Sequence, residues 1–419
     1  MSKSMIVNTG AVIILKDREN MLEQYDTLVF NCGNVLISGE LYAKATAANA
    51  MFNCGDVAVI KEPQRPVRIS GLLTLGANSD HAGCYVVCDD AHITAQGVAA
   101  VESMEGMAVL DTLYHPQSVG GTFAAVRASK TTVYPDDAQL VRGDAWISAQ
   151  NLSKWQKKTK YFLSGTAFAL DTDALGALEA QGTSFLCEKL YMYEKDVERF
   201  GGLFVAKDMH PVPDGYAVVE RSAPLMDMYA THGERIYLLG DVTVQPRDVR
   251  HLPLLQSLIV KGTAKLPLEH IQACKAVIKA DKVHVFEGEL IHVNGMQTIS
   301  HAMLATANAI GTRYTLHVNG AVLFEDAVTH EDAQAVASLH VNGAVSAPGA
   351  VHAHLNAVTE KINGVLLGSL SEIKAMIEAM PGEAGKMFGG ALPGPLAKLL
   401  GIEGEGNASV VNGGSYTLM

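Results

Sequence analysis

The stretch LHVNGAV occupies Leu316 to Val322 and returns unchanged at Leu339 to Val345, 23 residues further on. Two structures compete for it. Asn-Gly between apolar residues is the strongest short signal for a two-residue hairpin with a type I′ turn. The alternative is one continuous strand. Related segments decide between them. Before the same glycine stand Lys261 in LIVKGTAKL, Ser164 in YFLSGTAF, Arg142 in QLVRGDAWI and Leu239 in IYLLGDVTV. Lysine, arginine and leucine resist the positive φ that the first turn position demands. Alternation also runs through the glycine: Leu258, Val260, Gly262, Ala264 and Leu266 are apolar or small at every second place. A strand with one buried face gives that pattern, because successive side chains point to opposite sides.

Taking the central inward position as zero places it at Gly143, Gly165, Glu188, Gly240, Gly262, Gly320, Gly343 and Gly364, with steps of 21 to 23 recurring. TLVFNCGNVLI aligns on TLHVNGAVLFE and puts Cys32 at zero, followed 22 residues later by Cys54. Less regular copies fit near Gly71, Asp89, Asp111, Lys207 and Glu287. The spacers have helical character. DTDALGALEAQ (Asp171 to Gln181), YEKDVERF (Tyr193 to Phe200) and EDAVTHEDAQAVA (Glu325 to Ala337) start acidic and carry apolar residues three or four apart. A strand and a short helix in about 22 residues cannot bury their own apolar face, whereas stacked copies can. The expected fold is therefore α/β: a repeat solenoid with a long parallel β-sheet on one face and short helices or irregular spacers on the other.

Residues 1–24 read as an N-terminal strand or cap, and 25–368 as roughly fourteen or fifteen repeats, with insertions near 112–142 and 208–239. Ser369 to Glu372 reads as a capping box opening a closing helix over 369–380, striped by Ile373, Met376, Ile377 and Met380. Residues 381–419 form a tail rich in glycine and proline. Its end, SVVNGGSYTLM, echoes the start, MIVNTGAVIIL, so the two ends are expected to pair, within one chain or between neighbours.

LPLLQSLIVKGTAKLP (Leu252 to Pro267) resembles the leucine-rich-repeat pattern, in which spaced leucines lead into a strand and then Leu-Pro. The resemblance spans about residues 25 to 380. Repeats of that family usually carry Asn two residues beyond a position like Val260, where this chain has Gly262; its asparagines, Asn294, Asn319, Asn342 and Asn363, come one residue earlier, on the outward face. The resemblance implies the solenoid form, and the family's habit implies protein binding.

A net charge of −12 argues against a nucleic-acid footprint, and KWQKKTK (Lys154 to Lys160) reads as a solvated face. No stretch is long and apolar enough for a membrane span, and six cysteines in 419 residues form no disulfide framework, so a cytoplasmic setting is expected. Phosphate-loop, dinucleotide, zinc-helix and nucleophile-elbow signatures are missing, and no cofactor is expected.

The remaining candidates follow from register. Three residues before zero stand His284, His317, His340 and Lys361, outward on the sheet, with Asn319 and Asn342 beside them. Imidazoles about 4.8 Å apart on neighbouring strands could share a metal or grip an anion. The first reading, however, is a ladder copied with the repeat that binds nothing, since no Asp, Glu or Cys is placed by register beside the pair. Earlier strands offer Leu140, Phe162, Tyr237 and Ile259 at this place, an apolar stretch suited to a partner. His352 and His354 fall on opposite sides of a helix. Cys32 and Cys54 read as core thiols, and Cys84 with Cys88 lack zinc spacing. The leading expectation is a non-enzymatic binding or scaffold protein with a protein partner. The alternatives are a ligand- or metal-binding protein or enzyme using the histidine column, and a self-assembling filament element, with homo-oligomers among its forms.

Overall fold

The computed structural model describes residues 4–14, 27–47, 50–61, 65–120, 123, 125–379, 408–412 and 416–418. The chain is α/β, with parallel strands in every sheet and short helices between them. It divides into two units, residues 1–214 with 405–419, and residues 215–404. Among the described residues no helix is long and apolar enough to cross a membrane.

In the first unit, β1 (Ser4–Ile14), β2 (Thr27–Ser38) and β3 (Met51–Ile60) pair side by side in parallel. A second sheet runs β4 (Pro66–Leu75), β5 (Tyr85–Ile93), β6 (Gly106–Pro116) and β7 (Val126–Tyr134). The third is built on β12 (Ser184–Tyr193). On one side it takes β10 (Lys160–Leu163) and β11 (Thr166–Ala169), which continue to β8 (Ala138–Val141) and β9 (Ala145–Ile147); on the other it takes β13 (Phe204–Val212).

The second unit starts with β14 (Ala217–Val219), β15 (Arg235–Leu238), β16 (Val242–Thr243), β17 (Ser257–Pro267) and β18 (Ile278–Phe286). It ends with a four-stranded sheet, β19 (Glu289–Ile299), β20 (Tyr314–Phe324), β21 (Val336–Ser346) and β22 (Thr359–Leu367).

Asn319–Gly320 is not a reversal. β20 pairs β21 in parallel from Thr315↔Ser338 to Leu323↔Ser346, straight through Gly320↔Gly343. Leu316, Val318, Val322 and Phe324 of β20 are buried with Leu339, Val341 and Val345 of β21. Leu304 and Ala307 of the helix His301–Ile310, and Val351 and Leu355 of the helix Gly349–Val358, join the same core. Burying one such leucine stabilises by about 1.5–3 kcal/mol, and only a neighbouring strand and helix supply the cover. β17 keeps the same alternation, with Leu258, Val260, Ala264 and Leu266 in the core.

The recurring glycine has a contact reason. A Cβ on Gly343 would lie 1.9 Å from the Gly320 carbonyl oxygen, and one on Gly320 would lie 2.1 Å from that of Gly295. Their φ angles, +143° and +136°, are also left-handed. Where β8 gives way to β9 and β15 to β16, an aspartate one residue beyond the glycine bridges to the next strand. Asp144 accepts from the Thr166 N–H at 2.7 Å and Asp241 from the Thr263 N–H at 2.7 Å. This satisfies backbone donors that the interrupted ladder leaves over.

Several expectations need correction. The segments 112–142 and 208–239 are not plain insertions: they hold β7, paired with β6 (Thr112↔Lys130), and β14, paired with β15 (Ala217↔Ile236). Glu287 is not a strand centre. It lies between β18 and β19, whose central glycine is Gly295, in register with Gly320. Within residues 1–24, β1 is a regular neighbour of β2, with Thr9 beside Cys32.

The capping box at Ser369 is formed: the Ser369 N–H donates to the Glu372 carboxylate at 2.8 Å, and the Ser369 hydroxyl accepts from the Glu372 N–H at 3.2 Å, opening the helix Leu370–Ala379. The expected helix at Asp171 is also present, over Thr172–Gln181, with the Asp171 carboxylate accepting from the Ala174 N–H. In EDAVTHEDAQAVA only His330–Ala333 is helical. Most of the tail 381–419 lies outside the described residues. Its strands β23 (Ala408–Asn412) and β24 (Tyr416–Leu418) both pair β1 in parallel, so the two ends of the chain do meet.

Candidate functional site

The four-stranded sheet β19–β22 aligns four residues in one row: His292, His317, His340 and Lys361. Two places on, Asn294, Asn319, Asn342 and Asn363 form a second row on the same face. Ring centroids of His292 and His317 are 5.3 Å apart, edge to face, and those of His317 and His340 are 4.6 Å apart, tilted. Asn342 donates from Nδ2 to Oδ1 of Asn319 at 3.1 Å. The two rows line an open groove of about 330 Å³. The asparagine row is exposed.

Charges close both ends of the histidine row. Lys265 Nζ is 3.4 Å from His292 Nε2, while Glu360 sits 3.0 Å from His340 Nε2 and accepts from the Ser338 hydroxyl at 2.8 Å. Burial, then His340, Lys265 and His292, push His317 down to about 4, with Glu360 acting weakly the other way. Burial and Lys265 also lower His292. At neutral pH these two rings are uncharged, each with one donor and one acceptor nitrogen. The edge of β19 is held by Gln245, whose side-chain amide donates to the Leu290 carbonyl at 2.7 Å and accepts from the Leu290 N–H at 3.0 Å.

The expected column is corrected at one member. His284 lies on β18 opposite Lys265 and does not reach the row, whose third imidazole is His292. The signal was available: HVNG occurs three times, at His292, His317 and His340. The apolar candidates are dispersed. Phe162 is half-buried on β10 in the first unit, stacked 6.0 Å from Tyr134. Tyr237 and Ile259 are neighbours on β15 and β17, but Tyr237 is only 4% exposed and offers no platform.

The other candidates fall into structural roles. His352 and His354 approach different carbonyls, those of Ala347 and Val336. Cys32 and Cys54 stack with their sulfurs 3.2 Å apart, and burial with the neighbouring thiol pushes Cys32 up to about 12, so it stays protonated. Cys84 and Cys88 are buried. Asp89 and Asp90 tie neighbouring strands together. Asp89 accepts from Arg68 at 2.5 Å and from the Gly71 N–H at 2.6 Å, while Asp90 accepts from the Thr112 N–H at 3.1 Å and pairs with Arg142. Among the described residues no three of His, Cys, Asp and Glu are grouped to hold a metal ion. No family model, curated protein or solved structure matches the chain.

Proposed function

We infer that the chain is a non-enzymatic binding protein built of β/α solenoid units, and that the histidine and asparagine rows of β19–β22 are its platform for another protein. The single observation behind this reading is the register: His292, His317, His340, Asn294, Asn319, Asn342 and Asn363 come from four strands yet share one open groove. The uncharged rings of His292 and His317 and the asparagine amides both donate and accept, which suits the main chain and polar side chains of an extended segment. The leucine-rich-repeat resemblance supports only the solenoid form and the general habit of protein binding. Six free cysteines fit a reducing compartment, and we place the protein in the cytoplasm.

The grouping of His317 and His340 favours a shared hydrogen-bonding surface over a metal centre, since the carboxylate near them, Glu360, is already engaged by His340 and Ser338. The test is affinity capture with the wild-type chain and with Asn319→Asp/Asn342→Asp, which leaves the strands intact and adds like charges one strand apart. A partner held by the wild type and lost by the double variant supports the platform. Partners retained equally by both remove it.

A further inference from the structure

We propose that the C-terminal strands β23 and β24 are a detachable cap on the outer edge of β1, and that when they leave, the outer edge of β22 in a second copy takes their place and joins chains head to tail. The first support is the pairing itself. β23 lies on β1 from Ser4↔Ala408 to Asn8↔Asn412, and β24 follows from Val12↔Tyr416 to Ile14↔Leu418. The second is sequence mimicry. The tail reads VVNG from Val410, the same kind of segment as HVNG at His317 and KING at Lys361. The tail thus reproduces, at the start of the chain, the strand type with which β22 ends the four-stranded sheet.

Direction makes the exchange possible. β19, β20, β21 and β22 follow one another across their sheet, each parallel to the last, so the outer edge of β22 is where a following strand belongs. Among the described residues no strand pairs there. β1 is followed by β2 in the same sense, so its outer edge is where a preceding strand belongs. Seating β22 on β1 sets Asn363 where Asn412 stands, beside Asn8, and Ile362 where Val411 stands, beside the buried Val7. An unpaired strand edge is a ready template for another chain, and a heterologous contact of this kind adds copies in series.

The cap is short. It offers strands of five and three residues, against nine in β22. Its advantage is that it is tethered, which gives it a high effective concentration that a second copy matches only when protein is abundant. Capped chains therefore stay single, and uncapped chains associate.

The test compares the full chain with a chain ending at Ala379, by sedimentation over a concentration series. The full chain is expected to give one species. The truncated chain is expected to give a mass that climbs with concentration, and a synthetic peptide covering Ala408–Leu418 should return it to single copies. Cysteine pairs locate the contact: Asn8→Cys/Asn363→Cys in the truncated chain should cross-link between copies, while Asn8→Cys/Asn412→Cys in the full chain should cross-link within one. Three results would overturn the proposal: a truncated chain of constant mass, aggregates that the peptide does not dissolve, and Asn8→Cys/Asn412→Cys cross-links that join different copies.

Discussion

Gly320 and Gly343 carry the most specific demand in the sequence, because each faces the carbonyl oxygen of its counterpart on the preceding strand. Any side chain there must displace backbone, and backbone in a paired strand cannot yield without losing its ladder. Gly320→Ala or Gly343→Ala should therefore destabilise by about 3 kcal/mol or more, counting both the clash and the left-handed φ. Gly176, inside the helix Thr172–Gln181, is the matched control, since a Cβ there meets nothing within 4 Å. Gly176→Ala should instead stabilise by about 0.5–1 kcal/mol, as alanine does in a helix interior. Thermal melts of the three variants give the comparison, and equal effects at 176 and 343 would remove the contact argument.

Across the strands, the histidines act as one row rather than as separate rings. His317 faces His292 and His340, with Lys265 at one end and Glu360 at the other. Its folded value near 4 lies below the ordinary 6.5, so the unfolded chain takes up this proton first as pH falls. The resulting contribution to stability is whole above about pH 6.5, declines between 6.5 and 4, and is gone below. His317→Gln, which cannot titrate, should flatten that part of the stability profile. Melting temperatures measured across this window for wild type and variant check it; parallel curves would mean that the ring is more solvated than its place in the row implies.

For the molecule as a whole, what was legible in the sequence was whatever the strand period writes directly. Alternation through Gly262 gave a continuous strand, and the echo between MIVNTGAVIIL and SVVNGGSYTLM gave the pairing of β1 with the tail. The His292 level was missed for a physical reason. The step from Gly295 to Gly320 is 25 residues, outside the 21 to 23 of other copies, so a reading by spacing passed over it. The burial of Tyr237 was not legible either, because alternation tells which side of a sheet a residue faces and not what covers that side. Strands β7 and β14 also escaped; VRASKTTVY and AVV hold the pairing without a central glycine.

The parallel stacking of neighbouring copies is the claim on which the groove, its rows and the head-to-tail junction depend. Strands paired in register hold equivalent Cα atoms about 4.8 Å apart, within the span a disulfide bridges. The most direct measurement is mass-spectrometric mapping of cross-links in Asn319→Cys/Asn342→Cys under mild oxidation. The account predicts one disulfide linking positions 319 and 342 of the same chain, formed in the folded protein without loss of its circular dichroism. Two thiols that stay free, or that bond only after unfolding, would contradict it.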